Sequence, residues 1–219
     1  MVVKRTLRVT YYPPLEEKLN IYSHGFGLVL SIVALALLVV RASVNGSIWH
    51  IISFSIFGIS MVLLYTASTI YHSSKKPKLR LHLQIFDHAA IYVLIAGTYT
   101  PFTLVTLSGT TGWIMFGVTW GFALTGIFLK LFFTGRYEKL STIMYVFMGW
   151  IVVFAIKPLI HNLPFEGLIW LFCGGISYTL GAVLYSIKKI PYNHAIFHVF
   201  VLIGTFCHFI TVYFYVSPT

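Results

Sequence analysis

Seven stretches of the chain are almost free of charge and dominated by apolar side chains: Ile21–Val40, Ile48–Tyr71, Ala89–Leu107, Trp113–Leu129, Leu140–Ile156, Gly167–Ile187 and Ala195–Val216. Each is close to the roughly 20 residues that a helix needs to cross the hydrocarbon core of a bilayer. None shows the strict alternation of a half-buried strand. From His88 to Leu129 there is no Lys, Arg, Asp or Glu, too long a run for one crossing, and Ser108-Gly109-Thr110-Thr111-Gly112 supplies the turn that divides it. The fifth run is the shortest and ends at Lys157-Pro158. Pro101, in Gly97-Thr98-Tyr99-Thr100-Pro101, predicts a kink in the third helix, with Thr98 and Thr100 available to bond carbonyls there. The pattern predicts an all-α polytopic membrane protein with seven transmembrane helices. Residues 1–20 would form a terminal segment and residues 21–216 a single membrane domain.

Composition agrees with lipid as the main solvent. Only 9% of the 219 residues are charged, against about 25% in soluble domains. The net charge of +10 does not point to nucleic acid, because the basic residues punctuate the ends of apolar runs instead of lining a polar face. Their distribution sets an orientation. With seven crossings, Lys4, Arg5, Arg8, Lys18, Lys75, Lys76, Lys78, Arg80, Lys130, Arg136, Lys139, Lys188 and Lys189 share one side, and Arg41 and Lys157 the other. The positive-inside rule then puts the N-terminus in the cytoplasm and the C-terminus outside, in a cell membrane. The first twenty residues hold no apolar core, so no cleavable signal peptide is expected. Cys173 and Cys207 fall within apolar runs and are expected to be packing residues.

Polar side chains inside such runs are costly, which makes them informative. Asp87 is the only aspartate and lies at the start of the third run. His72 ends the second run, and His194 and His198 open the seventh after Pro191-Tyr192-Asn193. The seven-span topology brings these helix ends to one membrane level. His194 and His198 are four apart, so they project from one helix face about 6 Å apart along the axis. With His72 from a facing helix they make three ligands for a catalytic zinc, leaving a fourth position for water. Asp87 would then accept or orient that water's proton, and Ser68, one turn from His72, would hydrogen-bond it. A second reading stands beside this one. Interfacial histidines also bond backbone carbonyls, the His-x-x-x-His spacing lacks the glutamate of the zincin motif, and Asp87 could cap the third helix. His24 and His88 are placed to support the cluster. His50 and His161 fall at the far side, His82 in a basic loop, and His208 about 15 Å beyond His198.

The chain resembles the hemolysin III family, the bacterial branch of the progestin and adiponectin receptor family. The resemblance is carried by Glu17-Lys18-Leu19-Asn20 with Ser23-His24, then by Ser68-Thr69-Ile70-Tyr71-His72. Asp87-His88 through Pro101 and His194-Ala195-Ile196-Phe197-His198, with Gly204 and His208, complete it. It implies seven helices with the N-terminus inside, and zinc held by His72, His194 and His198 with Ser68 and Asp87 beside it. Through the related alkaline ceramidases, it also implies zinc-dependent hydrolysis of an amide or ester bond in a membrane lipid. The extended N-terminal region of the animal receptors is missing, so adiponectin or steroid binding is not expected. Two other classes remain: a lytic, haemolytic activity, and a non-enzymatic regulator of the membrane with zinc as a structural staple.

Overall fold

A computed structural model of the chain describes residues 9–133 and 138–216. Among these residues there is no strand. The helices are α1 (Pro14–Asn45), α2 (Ile48–Ser73), α3 (Pro77–Pro101), α4 (Gly109–Phe133), α5 (Glu138–Gly149), α6 (Ile156–Asn162), α7 (Phe165–Ser186) and α8 (Asn193–Tyr215). A π-helical stretch, Phe102–Leu107, extends α3, and a 3₁₀ stretch, Ile151–Ala155, joins α5 to α6. Seven of the resulting rods are long and apolar enough to cross a membrane, α5 and α6 counting as one crossing. Lys4, Arg5, Arg8 and Arg136 lie outside the described residues.

Neighbours in sequence pack side by side, α1 on α2, α2 on α3 and α3 on α4, and α8 returns to lie between α7 and α1. The outer face is apolar: Val29, Ile59, Phe128 and Phe154 are all exposed. Many hydroxyls face inward, where they bond carbonyls one turn back, Thr205 to Val201 at 2.8 Å and Thr211 to Cys207 at 2.9 Å. This polarity, apolar outside and hydroxylated within, is that of a protein dissolved in lipid, where every backbone and hydroxyl group must find its partner internally. Close approach depends on small residues. A methyl added to Gly27 of α1 would come within 2.7 Å of Leu202 on α8 and Tyr65 on α2.

Two departures from the hydropathy reading, and one irregularity it foresaw, have local causes. First, α1 and α3 start well before their apolar runs, at Pro14 and Pro77. Proline suits the first helical turn, because the N–H it lacks would have no partner there. Second, Pro101 does break the regular ladder, and the backbone continues as π-helix. Thr98 and Thr100 donate to the carbonyls of Leu94 and Ala96. The turn after it uses Ser108 and Gly109 with φ of 42° and 51°. Third, the fifth crossing runs on past Lys157-Pro158 to Asn162 but breaks at Trp150. The Tyr99 hydroxyl of α3 enters that break, donating to the Gly149 carbonyl and accepting from the Val152 N–H, both at 2.9 Å.

Candidate metal centre

His72 sits in the last turn of α2, and His194 and His198 in the first two turns of α8. The chain enters α8 through Tyr192 in a left-handed conformation, φ 56°. Asn193 fixes the turn by donating to the Tyr185 carbonyl at 2.8 Å. Glu16 of α1 accepts the His194 backbone N–H at 3.2 Å, taking up one of the orphan donors at the start of α8. The result is a tight triangle. His194 Nε2 lies 3.1 Å from His72 Nε2 and 3.1 Å from His198 Nε2. All three imidazoles are buried, and their ligand atoms lie within 4.8 Å of one another.

These donors fit a metal ion. A lone N–H on His194 Nε2 can point at only one of its two neighbours, whereas a cation among the three nitrogens engages them all. Adjacent nitrogens of a tetrahedral zinc, with bonds of about 2.0–2.1 Å, stand about 3.3 Å apart, close to the separations found. Two of the three outer nitrogens are occupied in the sense that a metal site needs. His72 Nδ1 meets Glu17 Oε2 at 2.8 Å and Asn20 Nδ2 at 3.4 Å, and His198 Nδ1 meets Ser23 Oγ at 3.3 Å. His194 Nδ1 has no hydrogen-bond partner among the described residues.

The residues behind the triangle come from α1, a helix that contributes none of the three imidazoles. Glu17, Asn20, Ser23 and His24 follow one another at helical spacing along its inner face. His24 stacks on His198 with ring centroids 3.5 Å apart and planes 5° apart. Glu17 also pairs with Arg80, a fully buried residue in the first turn of α3. Arg80 donates to the carbonyls of Tyr71, His72 and Ser74 at 3.0–3.2 Å, closing the C-terminus of α2 as a cation there should. Ahead of α1, residues 9–13 strap across the end of the bundle. Thr10 accepts from Arg80 Nε at 2.9 Å, and Tyr12 lays its ring on His194 at 4.5 Å, tilted by 18°. Burial pushes the Tyr12 hydroxyl above its ordinary pKa, so the ring covers the centre as a neutral phenol.

Asp87 lies ten residues inside α3, not at its N-terminus, which excludes the capping role the sequence left open. It is buried and faces Ser68, His72 and Lys130. Ser68 is fully buried one turn from His72. His24 therefore joins the centre. His88 lends its carbonyl to the Tyr145 hydroxyl. The remaining histidines are elsewhere: His50 closes a capping box with Ser47 at the start of α2, His82 bonds the Lys78 carbonyl, His161 is exposed in the last turn of α6, and His208 bonds the carbonyl of Gly204. From the sequence, Arg80 counts only as one of the basic residues sharing one side, and Glu17, Asn20 and Ser23 have no role beyond the resemblance. The signal that could have found them is a run of polar residues at three- and four-residue spacing where an amphipathic start was not expected.

Fold and centre together define a multi-pass α-helical membrane protein with three buried histidines close enough to share one metal ion. The family model for haemolysin-III related proteins matches residues 13–209, and the chain belongs to that family. It is 48% identical over 204 residues to hemolysin-3 of Bacillus cereus, covering 93% of each chain. It is 50% identical over 200 residues to a hemolysin-3 homolog of Bacillus subtilis, covering 91% of this chain and 94% of the other. The human monocyte to macrophage differentiation factor is 31% identical over 212 residues, which are 93% of this chain and 87% of that protein.

Proposed function

We propose that the protein is a zinc-dependent hydrolase of an amide or ester bond in a membrane lipid, acting near the cytoplasmic face of the cell membrane. The observation that carries the reading is the placing of a buried carboxylate, Asp87, and a buried hydroxyl, Ser68, beside the three imidazoles. When bound by His72, His194 and His198, zinc supplies Lewis acidity, polarising a carbonyl and making water easier to ionise. The chain's own groups do the rest. A carboxylate oxygen of Asp87 takes the proton of the attacking water and returns it to the leaving nitrogen or oxygen. The Ser68 hydroxyl donates to the attacking oxygen and keeps it aligned. Tyr12 and the surrounding apolar helices exclude bulk water, which strengthens each of these interactions. The lipid reaches the centre from the bilayer, between helices.

A second reading, a membrane regulator with a structural metal, draws support from the close cover that Tyr12 gives His194. One experiment separates the two. Purified protein in detergent is assayed for zinc and for hydrolysis of a panel of amide- and ester-linked lipids. About one zinc per chain, lost in the His194→Ala, His198→Ala double variant together with hydrolysis, is the expected result. Zinc without hydrolysis of any lipid favours the regulator, and full zinc in the double variant removes the metal assignment.

A further inference from the structure

In the ion pair of Glu17 and Arg80 the arginine is fully buried and the carboxylate half-buried, and stability alone does not account for it. Taking two charges out of water costs about as much as their attraction returns, so such a pair does little for the fold by itself. Its geometry has a direction, however. Glu17 divides its two oxygens: Oε1 takes Arg80 and the Tyr12 N–H, while Oε2 stands 2.8 Å from His72 Nδ1. Arg80 holds the His72 backbone carbonyl at 3.2 Å with one arm and Glu17 with the other. The ring and the main chain of His72 are thereby fixed by the same pair of residues.

We infer that Glu17 is a positioning residue that sets how tightly the centre holds its metal, acting through His72 Nδ1, and that Arg80 holds Glu17 to that task. The inference rests on the three-histidine metal assignment proposed above. A carboxylate that accepts the Nδ1–H locks His72 in the tautomer whose Nε2 lone pair faces His194 and His198, and makes that nitrogen a better donor. Of the three imidazoles, His72 is the one held by a charged partner. His198 has neutral partners, the Ser23 hydroxyl and the Asn20 backbone, and His194 Nδ1 has no hydrogen-bond partner among the described residues. Control of affinity is therefore concentrated at Glu17.

The test uses the full chain in detergent and measures zinc affinity by competition with a chelating dye. Glu17→Gln should bind zinc about 10–100-fold more weakly than wild type, the usual cost of losing such a partner to a ligating histidine. Arg80→Lys keeps the charge but loses the fork that spans Glu17 and the carbonyls, and should also bind more weakly. Glu166→Gln, which removes one negative charge at the opposite end of the bundle, should leave the affinity unchanged. Nitrogen-15 spectra of histidine-labelled, metal-free protein give a readout that an ordinary ion pair would not move. His72 should carry its proton on Nδ1 in wild type and divide between tautomers in Glu17→Gln. Wild-type affinity in Glu17→Gln, or an unchanged His72 tautomer in it, overturns the inference and leaves the centre standing. Wild-type protein that binds no zinc overturns the centre and the inference together. If Glu17→Gln does not fold, Arg80→Lys and its His72 tautomer decide by the same criteria.

Discussion

Tyr99→Phe removes a single oxygen, and the structure says what it should cost. In the break of the fifth crossing, the Val152 N–H and the Gly149 carbonyl each have the Tyr99 hydroxyl as a partner at 2.9 Å. Phenylalanine keeps the ring and its packing against α5 but leaves both backbone groups facing apolar atoms. A buried group without its partner costs about 1–3 kcal/mol, so two set an upper bound of about 6 kcal/mol. The 3₁₀ stretch can tighten to recover part of one bond, and we expect a loss of about 2–4 kcal/mol. Water cannot offset this, because Tyr99 is only 8% exposed and the surface around the break faces lipid. The measurement is reversible unfolding in mixed micelles, titrated with a denaturing detergent and followed by circular dichroism. Tyr22→Phe, at a position 71% exposed on α1, is the reference for the chemical change itself and should stay within about 0.5 kcal/mol. A Tyr99→Phe loss no larger than that would refute the idea that the hydroxyl completes the helix ladder.

Other expectations follow from particular residues. Asp87→Asn, with no helix cap at stake, should retain zinc and thermal stability while hydrolysis of a responsive lipid falls about 10²–10⁴-fold; unchanged turnover would remove Asp87 as the proton carrier. Gly27→Ala should destabilise by about 1–3 kcal/mol, because the new methyl collides with Leu202 and Tyr65 where α1, α2 and α8 meet. A neutral shift in the unfolding midpoint would show that the approach is looser. Reporters fused after Thr219 should be active outside the cell, and reporters inserted at Lys75-Lys76 inside it. Activity of both on one side would rule out that orientation.

The crossings were legible because hydropathy is a local property, and seven apolar runs correspond to seven membrane-length rods. Helix starts were less so: residues 14–20 and 77–88 mix apolar side chains with Glu16, Glu17, Lys18, Lys78, Arg80 and Asp87, so hydropathy does not mark them, yet they are helical. The triangle could be read from depth, since His72, His194 and His198 end or begin crossings that alternate in direction. Its support could not. Arg80 reads as one more interfacial cation among lysines, and only the fold reveals that it turns inward to Glu17 and the end of α2. The same limit applied to Asp87, whose position at the edge of an apolar run looks like a helix start until α3 is seen to begin at Pro77.

The arrangement of α1, α3 and α8 has a consequence for biosynthesis. Glu17 and Arg80 lie on helices made early, whereas His194 lies 122 residues after His72 and arrives with the last crossing. As the chain leaves the ribosome, the two opposite charges can meet once the third helix is inserted, and each relieves the other of an uncompensated, partly buried charge. A slot between α1 and α7 then waits for α8, already lined by Glu16 and Ser23 on one wall. Closure of the ring and completion of the three-nitrogen triangle are a single event. The proposed metal capture would accordingly mark the moment at which the topology is finished, and a chain that stalls or truncates before α8 would lack the two histidines of that helix.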